Sequence, residues 1–494
     1  MESIYVKNFR SILDSGEIQI SPLTIMVGKN SAGKSSIVRL FPLLKQSMER
    51  NISAPLLWFG DYVDFGDFED VVSRNNIKSP IELGFSLYTY GNRFGFYSVQ
   101  YKKQEILVNV KLSINKDRIE KIQINFFDQE IVLYINDKNE VLIEINGDSS
   151  VFADKQLIAF KDNRSIIPVI CEKENKDDYL RRLDLSNIVE SVYKILEIKQ
   201  SKKNDSKYYY GDALDIPIGS KKAILDSLRK KNSNKFNKYK INHIRFKNLN
   251  NKIIALKLKD IFDRINYSFY DEIKATSYLK PIRANVNRYY RNQGFSIREL
   301  DSDGGNLPMI LNSLTKIDLK KFESWSKEKF GVVFSVKPSE GHISLVIKNE
   351  VDGDIETNVA DTGYGYSQML PIVMLLWMIH SGYQLNSRNI SIVIEQPELH
   401  LHPAFQAKMI DVFINVIKEL KKNNINLKVI LESHSETMIN RIGRLIYQDK
   451  ISADDVSIYI FDKDNDITTI SKKQFNEKGL LKGWPIGFFS IDED

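Results

Sequence analysis

The chain has 494 residues, of which 27% are charged and 42% hydrophobic, and its 70 Lys and Arg against 64 Asp and Glu leave a net charge of +6. This composition excludes wholesale disorder, and a prior of about 150 residues per domain suggests roughly three domains. The single cysteine, Cys171, excludes an internal disulfide framework and any cysteine-cluster metal site. The longest apolar run, near residues 372–379, is far too short to span a bilayer, and residues 1–4 show no secretory pattern. We therefore expect a cytoplasmic protein without a membrane partner.

The N-terminal part predicts two strands, a helix and then a β meander. Residues 3–9 follow a short strand pattern, and the β-branched run 23–27 ends at Gly28, as a buried parallel strand does. After Ser35, apolar residues recur at spacings of three and four, which predicts a helix. Between residues 81 and 145, alternating apolar and polar residues are punctuated by polar clusters, which predicts antiparallel strands.

Residues 201–260 are the most basic part of the chain. Their sixteen Lys and Arg and five Asp give a net charge of +11, which leaves −5 for all the other residues. Tyr208, Tyr209 and Tyr210 lie within the stretch, where they could stack on bases while lysines contact the phosphates of DNA or RNA. The same composition also fits a surface for a protein partner or a solvated, compositionally biased insertion.

The C-terminal part alternates helix patterns with continuous apolar strand patterns, which predicts a parallel α/β sheet. The predicted helices cover residues 307–314, 361–379 and 405–420, with another starting at Ser435. The predicted strands cover residues 332–336, 344–347, 390–394 and 427–431.

Residues 28–35, Gly-Lys-Asn-Ser-Ala-Gly-Lys-Ser, match the phosphate-loop pattern G-x-x-x-x-G-K-[ST] between a predicted strand and a predicted helix. The glycines allow the backbone to wind around phosphates, so that successive N–H groups face negative charge. The Lys34 ammonium would bridge the β- and γ-phosphates, and the Ser35 hydroxyl would ligate Mg²⁺. This pattern predicts an ATP site.

Three further motifs follow the phosphate loop, and one of them offers the acidic partner for Mg²⁺ that a P-loop needs. Glu395 ends one predicted strand, as a carboxylate for Mg²⁺ does, and residues 396–403 continue as Gln-Pro-Glu-Leu-His-Leu-His-Pro. Upstream, residues 361–368, Asp-Thr-Gly-Tyr-Gly-Tyr-Ser-Gln, place two glycines and a serine where a helix begins, which favours a second anion contact. Downstream, His434 follows the next predicted strand.

This order of motifs resembles the ABC-type ATPase heads of the RecF, OLD and SMC group, and I-E-Q-P-E-L-H-L-H-P is most similar to the OLD/RecF-like AAA ATPases. The likeness includes residues 278–283, 361–371 and 484–489 and covers about residues 1–75 and 276–494. It implies an α/β P-loop fold: an ABC-ATPase head with an antiparallel β subdomain and an inserted basic region. We therefore expect the two halves of the head in residues 1–75 and 276–494. A β-rich subdomain would occupy residues 76–180, and a basic insertion residues 181–275.

The resemblance also implies roles for individual residues. Glu395 would hold Mg²⁺ directly or through water, and His434 would sense the γ-phosphate. The residues implied to bind ATP are Gly28, Asn30, Gly33, Lys34, Ser35, Ser36 and, near the adenine or ribose, Arg10. The signature residues implied to contact ATP held by a second copy of the chain are Gly363, Gly365, Ser367 and Gln368. ATP would thus join two heads into a dimer or a higher homo-oligomer.

One residue departs from the pattern of ABC heads. The residue after the Mg²⁺ carboxylate is usually Glu, the base that activates water, whereas here it is Gln396. An amide cannot accept a proton at neutral pH, so Gln396 could orient water but not serve as a base. Glu398 is the candidate substitute. We therefore expect slow hydrolysis, with ATP acting more as a conformational clamp.

The histidines of these motifs have alternative interpretations. His400 and His402 lie two residues apart, a spacing that suggests a metal site, but after the acidic motif they fit a dimer interface better. His434 could be an ordinary residue of a helix N-terminus, because Ser-His-Ser before a helix also favours N-capping. Residues 462–466 begin like a calcium loop, but later positions lack the required Gly and Glu, which predicts a hairpin turn.

The resemblance implies a function in bacterial antiphage defence. Related heads of the Septu and PARIS type control a separately encoded nuclease or toxin, so this chain would switch such an effector. The alternative is a RecF-like DNA-binding ATPase of repair or recombination. An OLD-like nuclease is the least favoured, because only 60 residues follow His434, too few for a metal-dependent nuclease domain.

Overall fold

A computed structural model describes residues 1–74, 76–90, 105–162, 164–173, 183, 185–197, 216–292, 299–349, 355–383, 387–481 and 483. The strands are, in chain order, β1 (Ser3–Phe9), β2 (Ile12–Asp14), β3 (Ile18–Gln19), β4 (Leu23–Gly28), β5 (Ile81–Thr89), β6 (Ile106–Ile114), β7 (Ile119–Phe126), β8 (Gln129–Ile135), β9 (Glu140–Ile145), β10 (Leu157–Phe160), β11 (Val169–Glu172), β12 (Thr276–Leu279), β13 (Tyr290–Arg291), β14 (Val332–Ser339), β15 (His342–Asn349), β16 (Glu356–Asn358), β17 (Asn389–Glu395), β18 (Asn426–Glu432), β19 (Val456–Asp464) and β20 (Ile467–Lys473).

The α-helices fall into a group that follows the phosphate loop, a group between β11 and β12, and a C-terminal group. They are α1 (Lys34–Val38), α2 (Leu40–Glu49), α3 (Phe68–Val71), α4 (Ser186–Leu196), α5 (Lys221–Lys231), α6 (Ser233–Phe236), α7 (Ile244–Leu256), α8 (Leu258–Lys274), α9 (Leu307–Ser313), α10 (Lys316–Phe330), α11 (Tyr364–His380), α12 (Pro403–Lys422) and α13 (Glu436–Tyr447).

The predicted meander is confirmed and belongs to a larger antiparallel sheet. Its strands follow the order β11-β10-β9-β8-β7-β6-β5-β1-β2, and β3 pairs with β1. The residues of β6 alternate between buried and more exposed, as expected of a strand with one face on the core. Because β1 pairs with β5, with Ile4 opposite Phe85, this sheet crosses the boundary that we predicted between residues 1–75 and 76–180.

The predicted parallel sheet is also confirmed, with strand order β12-β17-β18-β4-β19-β20. The strands from β12 to β19 are parallel, and β20 returns antiparallel to β19. All six residues of β4 are buried. Met26 belongs to the core shared with the antiparallel sheet, whereas Ile25 and Val27 belong to a second core formed by the C-terminal helices. The sheet is therefore covered on both faces, and the carboxyl ends of β4, β17 and β18 meet at one edge.

The described part of the basic insertion is mostly helical, which the sequence did not predict. In α5, the side chains of Ile224, Leu225 and Leu228 are buried in the core of the antiparallel sheet. Their spacing places them on one face, while the lysines of the same helix lie on the other. Tyr208, Tyr209 and Tyr210 fall outside the described residues, as do residues 484–489.

The smaller predictions of the C-terminal part are confirmed with adjusted bounds. The helix expected from residue 361 begins at Tyr364, and the one expected from residue 405 begins at Pro403. Residues 462–466 lie in the β19–β20 hairpin, with Asp464 opposite Ile467, so the expected turn is confirmed. Across the described ranges, every helix is too short or too polar to cross a membrane.

Candidate functional site

The phosphate loop, residues 28–33, connects β4 to α1 and requires its two glycines for space. A Cβ atom on Gly28 would lie 2.2 Å from the carbonyl oxygen of Phe461 on the neighbouring β19. Gly33 has a φ of 93°, and its Cβ would lie 2.9 Å from Oγ1 of Thr468 on β20. Side chains at either position would collide with the β19–β20 hairpin, so only glycine allows this close packing.

The Lys34 side chain is turned back onto the loop. Its Nζ donates hydrogen bonds to the carbonyl oxygens of Gly28, at 2.9 Å, and Lys29, at 2.7 Å. The residue is 3% exposed, and burial lowers the pKa of its ammonium, although the charges of Glu432 and Glu398 oppose that shift. Lys34 thus places a positive charge in the loop, where phosphates would bind.

The other residues implied to bind ATP surround this lysine. Ser36 is buried, Asn30 is exposed on the loop, and the Ser35 hydroxyl points to the edge of the sheet. Arg10 precedes Ser11, whose Oγ would lie 3.3 Å from a Cβ on Gly33, so the turn after β1 lies beside the phosphate loop. The Arg10 guanidinium lies 5.5 Å from the centre of the Phe65 ring, and burial, then the charge of Arg39, lowers its pKa.

Glu395 and Glu432 are paired in register at the carboxyl ends of β17 and β18, but they have different partners. Both oxygens of Glu395 accept hydrogen bonds from Arg39, at 2.7 and 2.8 Å, and one also accepts from the Tyr278 hydroxyl at 2.6 Å. One oxygen of Glu432 accepts a hydrogen bond from the Ser35 hydroxyl at 2.9 Å. The carboxylate that contacts the phosphate-loop serine is therefore Glu432.

Glu432 is deeply buried and only partly satisfied. It is 3% exposed, and its second oxygen, Oε2, has no hydrogen-bond partner within the described residues. Burial, followed by the charge of Glu395, raises the pKa of Glu432 to about 7. Removal of a carboxylate from water without full compensation has this effect on its pKa.

The residues at this edge fit a hard divalent cation such as Mg²⁺. Mg²⁺ is usually held by one or two carboxylates, a hydroxyl and the phosphates of the nucleotide, and not by a cage made of protein alone. Ser35, Glu395 and Glu432 supply such oxygen atoms, and Oε2 of Glu432 has no hydrogen-bond partner within the described residues. Among the described residues there is no group of three or more His, Cys, Asp or Glu side chains arranged as a metal cage.

Gln396 and Glu398 lie directly after Glu395, on the loop toward α12. Gln396 has a φ of 46°, and its backbone N–H donates to the carbonyl oxygen of Glu432 at 2.8 Å, which fixes the loop to the end of β18. The Glu398 carboxylate accepts hydrogen bonds from the Ser433 hydroxyl at 3.0 Å and from the backbone N–H of His434 at 2.6 Å. Burial raises the pKa of Glu398.

His434 follows the end of β18 and is half-buried. Burial, followed by the Lys34 charge, lowers the pKa of the His434 imidazole. The helix after it, α13, is capped by Ser435, whose Oγ accepts a hydrogen bond from the backbone N–H of Met438. Because Ser435 performs the capping, the imidazole of His434 is not needed for it.

The signature residues lie at the start of α11. Gly363 and Tyr364 are exposed, whereas Ser367 and Gln368 are buried and bond within the chain. Ser367 Oγ donates to the carbonyl oxygen of Tyr364 at 2.7 Å. A Cβ on Gly365 would lie 3.0 Å from the carbonyl oxygen of His400, so this glycine allows α11 to approach the loop before α12.

Arg283 connects the start of α11 to the end of β17. Its backbone N–H and carbonyl pair with the Gln368 side chain at 3.3 and 3.4 Å, and its Nη2 donates to the carbonyl oxygen of Glu395 at 3.1 Å. The residue is 1% exposed, and burial lowers the pKa of its guanidinium to about 10. The signature helix and the acidic strand end are thus joined through one buried side chain.

The two histidines of the acidic motif have structural roles in the chain. The His402 Nδ1 accepts a hydrogen bond from the backbone N–H of Ala404 at 3.2 Å and so caps α12. The ring of His400 lies 5.7 Å from that of Tyr364, at the exposed start of α11. This position is consistent with the predicted interface role.

Sequence reasoning missed four residues of the site: Arg39, Tyr278, Arg283 and Glu432. A signal existed for Glu432, since it ends an apolar strand just as Glu395 does. Tyr278 and Arg283 lie in a segment that the sequence singled out without a role. Arg39 had no signal, because its partner Glu395 is 356 residues away.

The family of the chain follows from comparison with known sequences. A sequence model of the family described as AAA ATPase domain matches residues 1–439, so the chain belongs to this family of ATPases. Its architecture is an α/β P-loop ATPase fold, as predicted. No curated protein matches the chain.

Solved SMC head structures are similar to the chain. A head bound to the C-winged helix domain of ScpA has 10% identity, a TM-score of 0.36 and coverage of 96% of this chain and 98% of its own. The SMC head domain from Thermotoga maritima has 12% identity, a TM-score of 0.36 and coverage of 95% and 97%. An Smc head domain with an extended coiled coil, bound to the C-terminal domain of ScpA derived from Pyrococcus furiosus, has 13% identity, a TM-score of 0.36 and coverage of 95% and 95%.

Proposed function

We propose that this ATPase hydrolyses ATP slowly, that ATP joins two of its heads, and that the joined heads control a separate effector. The observation that carries the proposal is the position of the signature segment. Gly363 and Tyr364 are exposed at the start of α11, while the buried part of the segment bonds within its own chain. An exposed glycine-rich helix start is suited to complete a nucleotide site on a second copy.

Lys34 and Ser35 would hold the phosphates, and Ser35 with a carboxylate at the strand ends would hold Mg²⁺. The metal ion, when bound, neutralises charge on the phosphates. Glu398 would accept the proton of the attacking water, since Gln396 cannot. Its two hydrogen bonds with Ser433 and His434 hold it in place and partly offset the rise in its pKa that burial causes, which is consistent with slow turnover.

The association of heads is tested by measuring mass in solution with and without a non-hydrolysable ATP analogue and Mg²⁺. We expect the wild type to gain mass on adding nucleotide, and Tyr364→Ala to remain at its nucleotide-free mass. Tyr447→Ala is the matched control, because Tyr447 is a similarly exposed tyrosine, 70% against 64%, at the end of α13. An unchanged wild-type mass, or an equal loss in both variants, would contradict the proposed head association.

The effector is proposed to be a separately encoded nuclease or toxin. A gene for either next to this one, whose product co-purifies with the chain and is released or activated by nucleotide, would support the proposal. Replication and repair genes in that position, together with ATP-dependent retention of the purified chain on DNA, would instead support a repair function.

A second candidate function, nucleic-acid binding, rests on the charge of the helical insertion. Residues 216–259 contain thirteen Lys and Arg and one Asp, a net of +12. Several of the lysines are exposed on α5, on α7 and between them, so they are available to phosphates. The exposed lysines suited to a test are Lys222, Lys238, Lys240 and Lys247.

Replacement of these four lysines by Gln should flatten the salt dependence of DNA or RNA binding, because each phosphate contact releases a counterion. The control replaces four exposed lysines of α10: Lys316, Lys320, Lys321 and Lys327. Equal salt slopes in the two quadruple variants would exclude the insertion as a nucleic-acid surface.

A further inference from the structure

The starting point is the hydrogen bond between Ser35 and Glu432. In a P-loop ATPase the hydroxyl at the position of Ser35 ligates the metal ion, so the carboxylate in contact with it is already beside the metal. The Ser35 Oγ and the Glu432 Oε1 are 2.9 Å apart. Neighbouring ligands of an octahedral Mg²⁺ at about 2.0–2.1 Å are about 2.9 Å apart, so the two oxygens already have the separation of two such ligands, and the hydroxyl would keep its proton and turn it away from Glu432.

The second observation is the unsatisfied oxygen of Glu432. The side chain is 3% exposed, and Oε2 has no partner within the described residues. A buried polar atom without a partner costs free energy that a ligand would recover. The nearby ammonium of Lys34 does not fill this role, because it donates to the carbonyl oxygens of Gly28 and Lys29.

The third observation is that both carboxylate oxygens of Glu395 already have hydrogen-bond partners within the protein. Arg39 contacts both of its oxygens, and the Tyr278 hydroxyl contacts one of them. Its charge is therefore already compensated within the protein. The strand of Glu432, β18, lies directly beside the phosphate-loop strand β4, with Glu432 opposite Met26, whereas β17 lies one strand farther away.

We propose that Glu432, together with the hydroxyl of Ser35, ligates the divalent cation that accompanies the nucleotide, while Glu395 with Arg39 and Tyr278 positions the strand ends. This inference rests on the proposed function, since it assumes that ATP binds at the phosphate loop. It adds a metal ligand that the sequence motifs do not assign.

The test measures Mn²⁺ binding by electron paramagnetic resonance in the presence of a saturating non-hydrolysable ATP analogue, on the full chain. Glu432→Gln keeps the shape of the side chain and should weaken Mn²⁺ binding at least tenfold, while affinity for the analogue in EDTA changes less than twofold. Asp411→Asn is the control, because it removes a carboxylate from an ion pair with Arg441, between α12 and α13. It should leave Mn²⁺ binding unchanged.

A second variant, Glu432→Asp, keeps the charge but retracts it by one methylene group and should give intermediate Mn²⁺ affinity. This variant keeps the test usable if the amide at this position prevents folding. Wild-type Mn²⁺ affinity in Glu432→Gln or Glu432→Asp would overturn the inference and leave the proposed function intact. Failure of the wild type to bind the analogue at all would instead overturn the proposed function and, with it, the inference.

Discussion

The carboxylate of Glu398 accepts a hydrogen bond from the backbone N–H of His434 at 2.6 Å, so the loop after β17 is fastened to the loop after β18. The Ser433 hydroxyl makes a second such contact, at 3.0 Å. A movement of either loop must therefore move the other. The residue proposed to sense the γ-phosphate and the residue proposed to accept a proton from water would then respond to nucleotide as one unit.

The first prediction concerns the base. Glu398→Gln should lower kcat for ATP hydrolysis by about 100-fold, because general-base catalysis contributes roughly 10² to 10⁴. Gln396→Ala should lower it by only a few-fold. Both variants are compared in a phosphate-release assay at saturating ATP.

The Gln396→Ala variant should keep the backbone conformation of the loop, so its effect on kcat reports on the side chain. Gln396 has a positive φ of 46°, in the left-handed region of backbone conformation. This region is unfavourable for alanine and glutamine alike, so Gln396→Ala adds little backbone strain. Vigorous wild-type turnover that Gln396→Ala abolishes and Glu398→Gln spares would contradict the assignment of the base.

The second prediction concerns nucleotide binding. Lys34→Ala should weaken ATP binding by at least tenfold, because a charge-assisted hydrogen bond to phosphate contributes about 1.5–3 kcal/mol. Lys29→Ala is the control, since Lys29 lies in the same loop but its side chain is exposed. Isothermal titration calorimetry with ATP and Mg²⁺ measures both. Similar affinity in the two variants would contradict the role given to Lys34.

The third prediction concerns stability. Arg39→Met should lower the free energy of unfolding by about 3 kcal/mol, because it leaves the buried Glu395 carboxylate without its compensating charge. Arg50→Met is the control: its ion pair with Asp61 is exposed, and we expect a change within about 0.5 kcal/mol. Urea denaturation followed by fluorescence measures both. Equal decreases in the free energy of unfolding would contradict a larger stabilising effect of the buried Arg39–Glu395 pair.

The fourth prediction concerns alkaline pH. Tyr459 of β19 is 2% exposed, donates to the carbonyl oxygen of Gln19 and accepts from the Gln19 N–H, and burial raises its pKa to about 12. In the unfolded chain this tyrosine ionises near pH 10. The contribution of Tyr459 to the free energy of unfolding is therefore fully present below pH 10 and is lost as the pH rises from 10 to 12. The loss is at most about 2.7 kcal/mol.

The check compares the wild type with Tyr459→Phe. At pH 7 the variant should be less stable by about 1 kcal/mol, the value of a lost hydrogen bond. Above pH 10 its stability should fall less steeply than that of the wild type, because position 459 no longer ionises. Parallel stability curves between pH 9 and 11 would count against the raised pKa.

The sequence predicted the elements of this site better than their contacts. The phosphate loop, the strand ending at Glu395 and the helix at Tyr364 follow from local patterns of glycines, apolar runs and a P-loop consensus. The partners of Glu395 do not, because Tyr278 and Arg39 lie 117 and 356 residues away in the chain. Only the sheet order brings such distant residues together.

The basic insertion shows a different reason for a missed prediction. Its composition suggests a solvated segment, and the lysines of α5 hide the fact that Ile224, Leu225 and Leu228 recur at helical spacing. A charged helix needs only a narrow apolar face to pack against a sheet. Composition averages over both faces, so it misses this pattern.

The order of strands in the parallel sheet also has a consequence for synthesis. β4 pairs with β18 and β19, where Leu23 lies opposite Val429 and Val27 lies opposite Ile460. These partners are synthesised about 400 residues after β4, which takes roughly 20–80 s at 5–20 residues per second. The antiparallel partner of β1, by contrast, emerges within the first ninety residues. A strand that is fully buried in the folded protein therefore has both edges unpaired during translation, and we expect the ATPase core of this protein to depend on chaperones before it can depend on ATP.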